Sequence, residues 1–166
     1  MTQNGETIAI ASDHHGVELK KKMVAELNRM GFQVHDLGAA TEAPSDYPDI
    51  AHPLAREVAT GEAKRGILLC GSGVGVDIVA NRYPRVRAAL SWMPEIAELS
   101  RQHNDSNVLV IPAEYVSDGD GIEIMKRWLS TEFEGGRHAR RVGKIDNAQM
   151  ERATKGKGSG EPSGAG

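Results

Sequence analysis

The chain has 166 residues, of which 39% are hydrophobic, enough for one packed core of ordinary domain size. Its formal charge of −3 argues against nucleic acid or an anionic membrane as the main partner. A single cysteine excludes an internal disulfide and points to a reducing cytoplasm; no secretory leader and no apolar run of about 20 residues is expected.

Short apolar runs alternate with helix-like segments. Thr7–Ala11 reads as a buried strand that ends in Ser12-Asp13-His14-His15-Gly16. Leu19, Met23, Leu27 and Met30 then recur at helical spacing, and Gly31 stops that helix. Phe32–Leu37 is a second strand. Ile50, Leu54 and Val58 repeat every four residues and predict a second helix. Gly66–Cys70 is a third strand that runs directly into Gly71-Ser72-Gly73-Val74-Gly75. Val86–Leu90 predicts a fourth strand, followed by a helix from Pro94 with Ile96 and Leu99 inward. Val108–Ile111 is a fifth strand, and Ile122, Met125 and Leu129 mark the next helix.

Continuous apolar strands between helices predict an α/β fold: a Rossmann-like three-layer α/β/α sandwich on a five-stranded parallel sheet. The domain is expected to span 1–153, with a disordered Gly/Ser/Lys tail over 154–166. Ligands of such sheets sit beyond the carboxyl ends of the strands. That rule singles out Asp13-His14, Cys70 with its glycine loop, and the polar segment before the fifth strand.

The glycine loop exposes backbone N–H groups at a helix amino end, where negative charge is favoured. Its spacing is G-x-G-x-G with Val76 following, which is not the dinucleotide pattern, and no ribose-binding acid ends the next strand. Cys70 can be a small buried hydrophobe. Beside a helix amino end, however, its thiol pKa is expected to fall, and a thiolate next to N–H donors is what enolisation needs. Asp13 is a capping aspartate or a polar site residue. His103 is a core histidine or a proton donor, since 96, 99 and 103 share a face. His14, His15 and His103 have no metal-ligand spacing. Arg137 and Arg141, one turn apart, are a solvated face or a phosphate clamp.

Five ordered segments carry a likeness to a known family. They are Ser12–Gly16, Ser45-Asp46-Tyr47-Pro48, Cys70–Gly75, Ser100–Leu109 and Glu134-Gly135-Gly136-Arg137-His138 with Arg141. Over about Thr7–Ile145 the chain resembles the ribose/galactose isomerase family. The resemblance implies aldose–ketose isomerisation of a sugar phosphate through an enediolate, ribose 5-phosphate to ribulose 5-phosphate first, without metal or cofactor. Galactose or allose 6-phosphate and erythrose or erythrulose 4-phosphate are alternatives.

It implies Cys70 as the base, although another branch uses a glutamate aligned with Val76, next to Asp77. Amides of Gly71, Gly73, Val74 and Gly75 would hold the enediolate oxygens and Ser72 would shuttle a proton. Asp13 and Tyr47 would meet the sugar hydroxyls; His103 would open the ring and Asn104 bind the sugar. His14, Arg137 and Arg141 would take the phosphate, in a homodimer with shared sites. Two departures stand out. Pro112-Ala113-Glu114 stands where many relatives carry an arginine, and Trp92-Met93 are bulky. A nicotinamide oxidoreductase and a non-catalytic sugar-phosphate-binding subunit are the competing classes.

Overall fold

The computed structural model describes residues 5–147. The expected boundary at 153 and the tail over 154–166 lie outside them. Five strands, β1 (Thr7–Ser12), β2 (Gln33–Asp36), β3 (Arg65–Cys70), β4 (Ala88–Leu90) and β5 (Val108–Pro112), form one parallel sheet in the order β2-β1-β3-β5-β4. The three central strands are almost wholly buried, whereas β2 and β4 are edges with partly exposed residues. This is why β1, β3 and β5 read as unbroken apolar runs.

Six helices follow: α1 (Val17–Arg29), α2 (Tyr47–Thr60), α3 (Val74–Ala80), α4 (Pro94–Asn104), α5 (Asp118–Ser130) and α6 (Arg137–Val142). One core packs α2 and α3 on a sheet face through Leu54, Val58, Val76 and Ala80. The other packs α1, α4 and α5 through Met23, Leu27, Ala97, Ile124 and Trp128. The expected three-layer sandwich is the observed architecture. Among the described residues no helix is long and apolar enough to cross a membrane.

Two local expectations need correction. The inward face of α4 is Ala97 and Ser100, while Ile96 is half-buried and Leu99 is 43% exposed. Small residues face the sheet because α4 lies close to α5; the larger ones look outward. The fourth strand is also shorter than Val86–Leu90, because the Asn107 side chain takes the Arg85 carbonyl and the Arg87 N–H just before it.

The indole Nε1 of Trp128, in α5, donates to Ser106 Oγ at 2.8 Å. That hydroxyl pairs with Ser100 Oγ at 2.8 Å, and Ser100 donates to the Ala97 carbonyl. These buried groups are mutually satisfied, which fixes the end of α4 to the core.

Candidate active site

The carboxyl edge of the sheet brings Cys70, the glycine loop, Asp13, His14 and Tyr47 together. Cys70 ends β3 and is 5% exposed. Gly73 takes a left-handed conformation (φ 76°) and donates its N–H to the Cys70 sulfur at 3.2 Å. A Cβ on Gly73 would lie 2.5 Å from Leu90 Cδ1, so both backbone and packing require glycine there. A Cβ on Gly75 would meet the Tyr47 ring at 2.7 Å; the phenol therefore lies directly over the loop.

The thiol departs from its sequence-based expectation. Burial pushes its pKa up, the amides of Val76, Gly73 and Gly75 pull it down, and the charge of Asp13 adds to the rise. The net direction is upward, because the sulfur is buried more deeply than a helix end alone would have it.

Asp13 is 5% exposed and caps the short 3-10 turn His14–Gly16, accepting from His15 N–H at 2.9 Å. Its other oxygen lies 3.1 Å from His15 Nδ1, and His15 Nε2 lies 3.3 Å from Glu114. The hydrogen bond from the His15 ring to the Asp13 carboxylate is the main reason the His15 pKa is raised; burial opposes it, and the charges of Asp13 and Glu114 add to it. Glu114 itself sits over the loop, with Oε2 3.0 Å from where a Cβ on Gly71 would be. Its carboxylate thus has the His15 imidazole beside it while the side chain stays half-exposed over the loop.

His14 Nδ1 accepts the Ser45 N–H at 3.3 Å, while His14 N–H donates to Ser45 Oγ. Nε2 therefore carries the proton and is available as a donor. Ser72 is exposed and accepts from Val74 N–H at 3.3 Å.

The remaining expected residues do not join this group within one chain. The polar segment precedes β5 and so lies at the amino edge of the sheet, contrary to the expectation that put it beyond the carboxyl ends. Val108 pairs with Gly66, four residues before Cys70, or about 13 Å along the strand. Asn104 sits beside Arg87, which donates to the Asn104 carbonyl at 3.2 Å. His103 stacks on His138 with ring centroids 4.3 Å apart. Arg137 and Arg141 are exposed on α6, and among the described residues neither side chain has a hydrogen bond or ion pair.

Sequence reasoning assigned no role to His138, which is buried beside His103; a histidine in a basic stretch gives no sign of its depth. Burial is the first cause of its lowered pKa, followed by the charges of His103 and Arg137. Asp77 is the other surprise. Burial pushes its carboxyl to about 6, and its Oδ1 has no hydrogen-bond partner among the described residues. Among the described residues two groups could gather a cation by proximity, Asp13-His14-His15 and His103-Glu134-His138.

The sequence profile of the ribose/galactose isomerase family matches residues 8–145. Ribose-5-phosphate isomerase B of Escherichia coli is 42% identical over 149 residues, covering 87% of this chain and 97% of its own. The structure of Clostridium thermocellum ribose-5-phosphate isomerase B superposes with a TM-score of 0.86 at 40% identity, covering 88% of this chain and 99% of that one. That of Mycoplasma genitalium ribose-5-phosphate isomerase B with bound ribulose-5-phosphate gives 0.84 at 44%, covering 87% and 97%.

Proposed function

The chain belongs to the ribose/galactose isomerase family, and from that premise we propose that it interconverts D-ribose 5-phosphate and D-ribulose 5-phosphate with Cys70 as the base. The observation that carries this reading is the Cys70 sulfur lying 3.2 Å from the Gly73 amide, at the mouth of a loop of further N–H donors. A base for a carbon acid and donors for the oxygen that turns negative are then side by side.

In this mechanism the cyclic sugar opens first, with an imidazole moving the ring proton while Asp13 holds the hydroxyls. Cys70, as thiolate, removes the proton from C2 of the open aldose. The enediolate oxygens rest on the amides of Gly71, Gly73, Val74 and Gly75, the last three exchanging their bonds to Cys70 and Ser72 for the substrate, each donor worth about 10²–10³ in rate. Ser72 moves a proton between the two oxygens, and the Cys70 thiol returns its proton to C1. Atoms and charge balance without cofactor or metal.

The imidazole that the family likeness assigns to ring opening, His103, stands at the far edge of the sheet and would reach this cleft only from another copy of the chain. We therefore read the enzyme as a homodimer in which one copy supplies Cys70, Asp13, Tyr47 and His14, and the other supplies His103, Asn104, Arg137 and Arg141. The exposed apolar side chains Val74, Ile78, Trp92, Met93 and Leu99 suit such an interface. The lone thiol and the substrate class fit a cytoplasmic enzyme of pentose phosphate metabolism.

The test is a panel of four-, five- and six-carbon aldose and ketose phosphates, assayed with wild type and Cys70→Ala. Ribose 5-phosphate should be turned over fastest, and the variant should lose about three orders of magnitude or more. Arg137→Ala and Arg141→Ala should each raise KM about tenfold or more. Preference for a six- or four-carbon phosphate would replace the substrate, and a Cys70→Ala enzyme near wild-type rate would remove the base.

A further inference from the structure

His103, Glu134 and His138 each bring one ligand atom to within 4.8 Å of the others. They come from the end of α4, the segment before α6 and the first turn of α6. The two imidazoles stack with their planes 9° apart, so one ring must turn about its χ angles for both nitrogens to meet one ion. His138 is 6% exposed, and its Nε2 points at Glu134 Oε2 from 3.5 Å with no hydrogen-bond partner among the described residues. An orphaned buried nitrogen costs about 1–3 kcal/mol, so its burial calls for a partner beyond those the described residues supply.

The donor set narrows what that partner is. Two imidazoles and one carboxylate suit zinc and its borderline neighbours, whereas magnesium and calcium prefer oxygen throughout. Glu134 is half-exposed and supplies the negative charge, leaving a side of the cluster open to solvent. Arg137 and Arg141 lie close enough to act on His138 electrostatically, and they oppose a dication. Binding is consequently reversible rather than structural.

We propose that His103, Glu134 and His138 form a site for a borderline divalent cation such as Zn²⁺, and that its occupancy inhibits the enzyme by engaging the His103 imidazole. The inhibitory half rests on the ring-opening role given to His103; the binding half stands on the geometry alone.

The experiment is calorimetric titration of the full chain with zinc chloride alone, in a phosphine reductant. One equivalent per chain should bind. Glu134→Gln and His138→Asn should each weaken it about tenfold or more, and Cys70→Ser should leave it unchanged. Cobalt in place of zinc should show no thiolate charge-transfer absorption. Zinc should inhibit wild type at the concentrations that fill the site, and Glu134→Gln should need about tenfold more while keeping its zinc-free turnover.

Absence of stoichiometric binding, or binding lost in Cys70→Ser and kept in Glu134→Gln, overturns the site. Should His138→Asn not fold, Glu134→Gln and the cobalt spectrum decide. Binding without inhibition overturns only the engagement of His103 in turnover. Failure of the isomerase reading itself would appear in the substrate panel and leave the titration intact.

Discussion

The backbone N–H of Gly73 points at the sulfur of Cys70 from 3.2 Å, three residues along a turn that only glycine fits. This amide is fixed by the shape of the loop and, with those of Val76 and Gly75, pulls the thiol pKa down. Burial nevertheless wins, and the thiol stands above its ordinary value of 9.0. With Cys70 as base, kcat/KM should climb with pH from neutrality into the alkaline range, following the thiolate fraction. The Cys70→Ala residual rate should lack that limb. A flat wild-type profile between pH 7 and 9, the span over which thiolate must accumulate, would count against the thiolate as base.

The same thiol affects stability with a defined sign. A raised folded pKa means that the unfolded chain ionises first, so this contribution is complete below pH 9 and is lost as pH rises through the folded value. Wild type should lose melting temperature above about pH 9 more steeply than Cys70→Ala, as followed by circular dichroism.

Gly73→Ala should be costly. It places a Cβ at positive φ and 2.5 Å from Leu90, adding about 1–2 kcal/mol of backbone strain to about 1–3 kcal/mol of overpacking. Urea denaturation should show a loss of about 2–5 kcal/mol. Turnover should fall as well, since the amide that faces the sulfur moves with the loop.

Asp77 should be a liability at neutral pH. Its carboxyl ionises at 3.8 ordinarily and at about 6 in the fold. Below the lower value both states are protonated, and Asp77→Asn should match wild type. Between the two the unfolded chain ionises and the folded chain does not. Asp77→Asn should become the more stable form across that interval and stay so above it. Melting curves at pH 4, 5, 6 and 7 read the gap directly. The variant should keep its isomerase activity; a loss like that of Cys70→Ala would make Asp77 the base.

The proposed shared sites make a quantitative demand on mixtures. Cys70→Ala and His103→Asn should each disable every site of their own homodimer. After unfolding and refolding together, half of the dimers should be mixed, and one of the two sites in each should carry neither change. About a quarter of wild-type activity should return. No recovery, with mixed dimers seen by mass spectrometry, would place both groups in one chain.

Most of the fold could be read because β1, β3 and β5 are buried on both faces and so show as plain apolar runs. The face of α4 could not, since Ala97 and Ser100 carry too little hydropathy to outweigh Ile96 and Leu99, which look outward. Cys70, Asp13 and His14 were legible as a group because each ends or follows a strand at one sheet edge, whereas Tyr47 was joined to them only by the family likeness. His103 and Asn104 were assigned to that edge in error: a segment that leads into a parallel strand stands at the strand's start. The thiol's direction depended on a balance of depth against amide donors that spacing does not encode, and the depth of His138 is a tertiary fact.

The tie from Trp128 through Ser106 and Ser100 has a bearing on catalysis at a distance. It mounts the helix end that carries His103 on the rigid interior instead of on a swinging loop. On the proposed shared site, an indole buried in the core would set how accurately an imidazole is presented to a neighbouring subunit. Trimming that indole to phenylalanine would slacken the mount, and the loss would register as poorer catalysis by a cleft whose own residues are all unchanged.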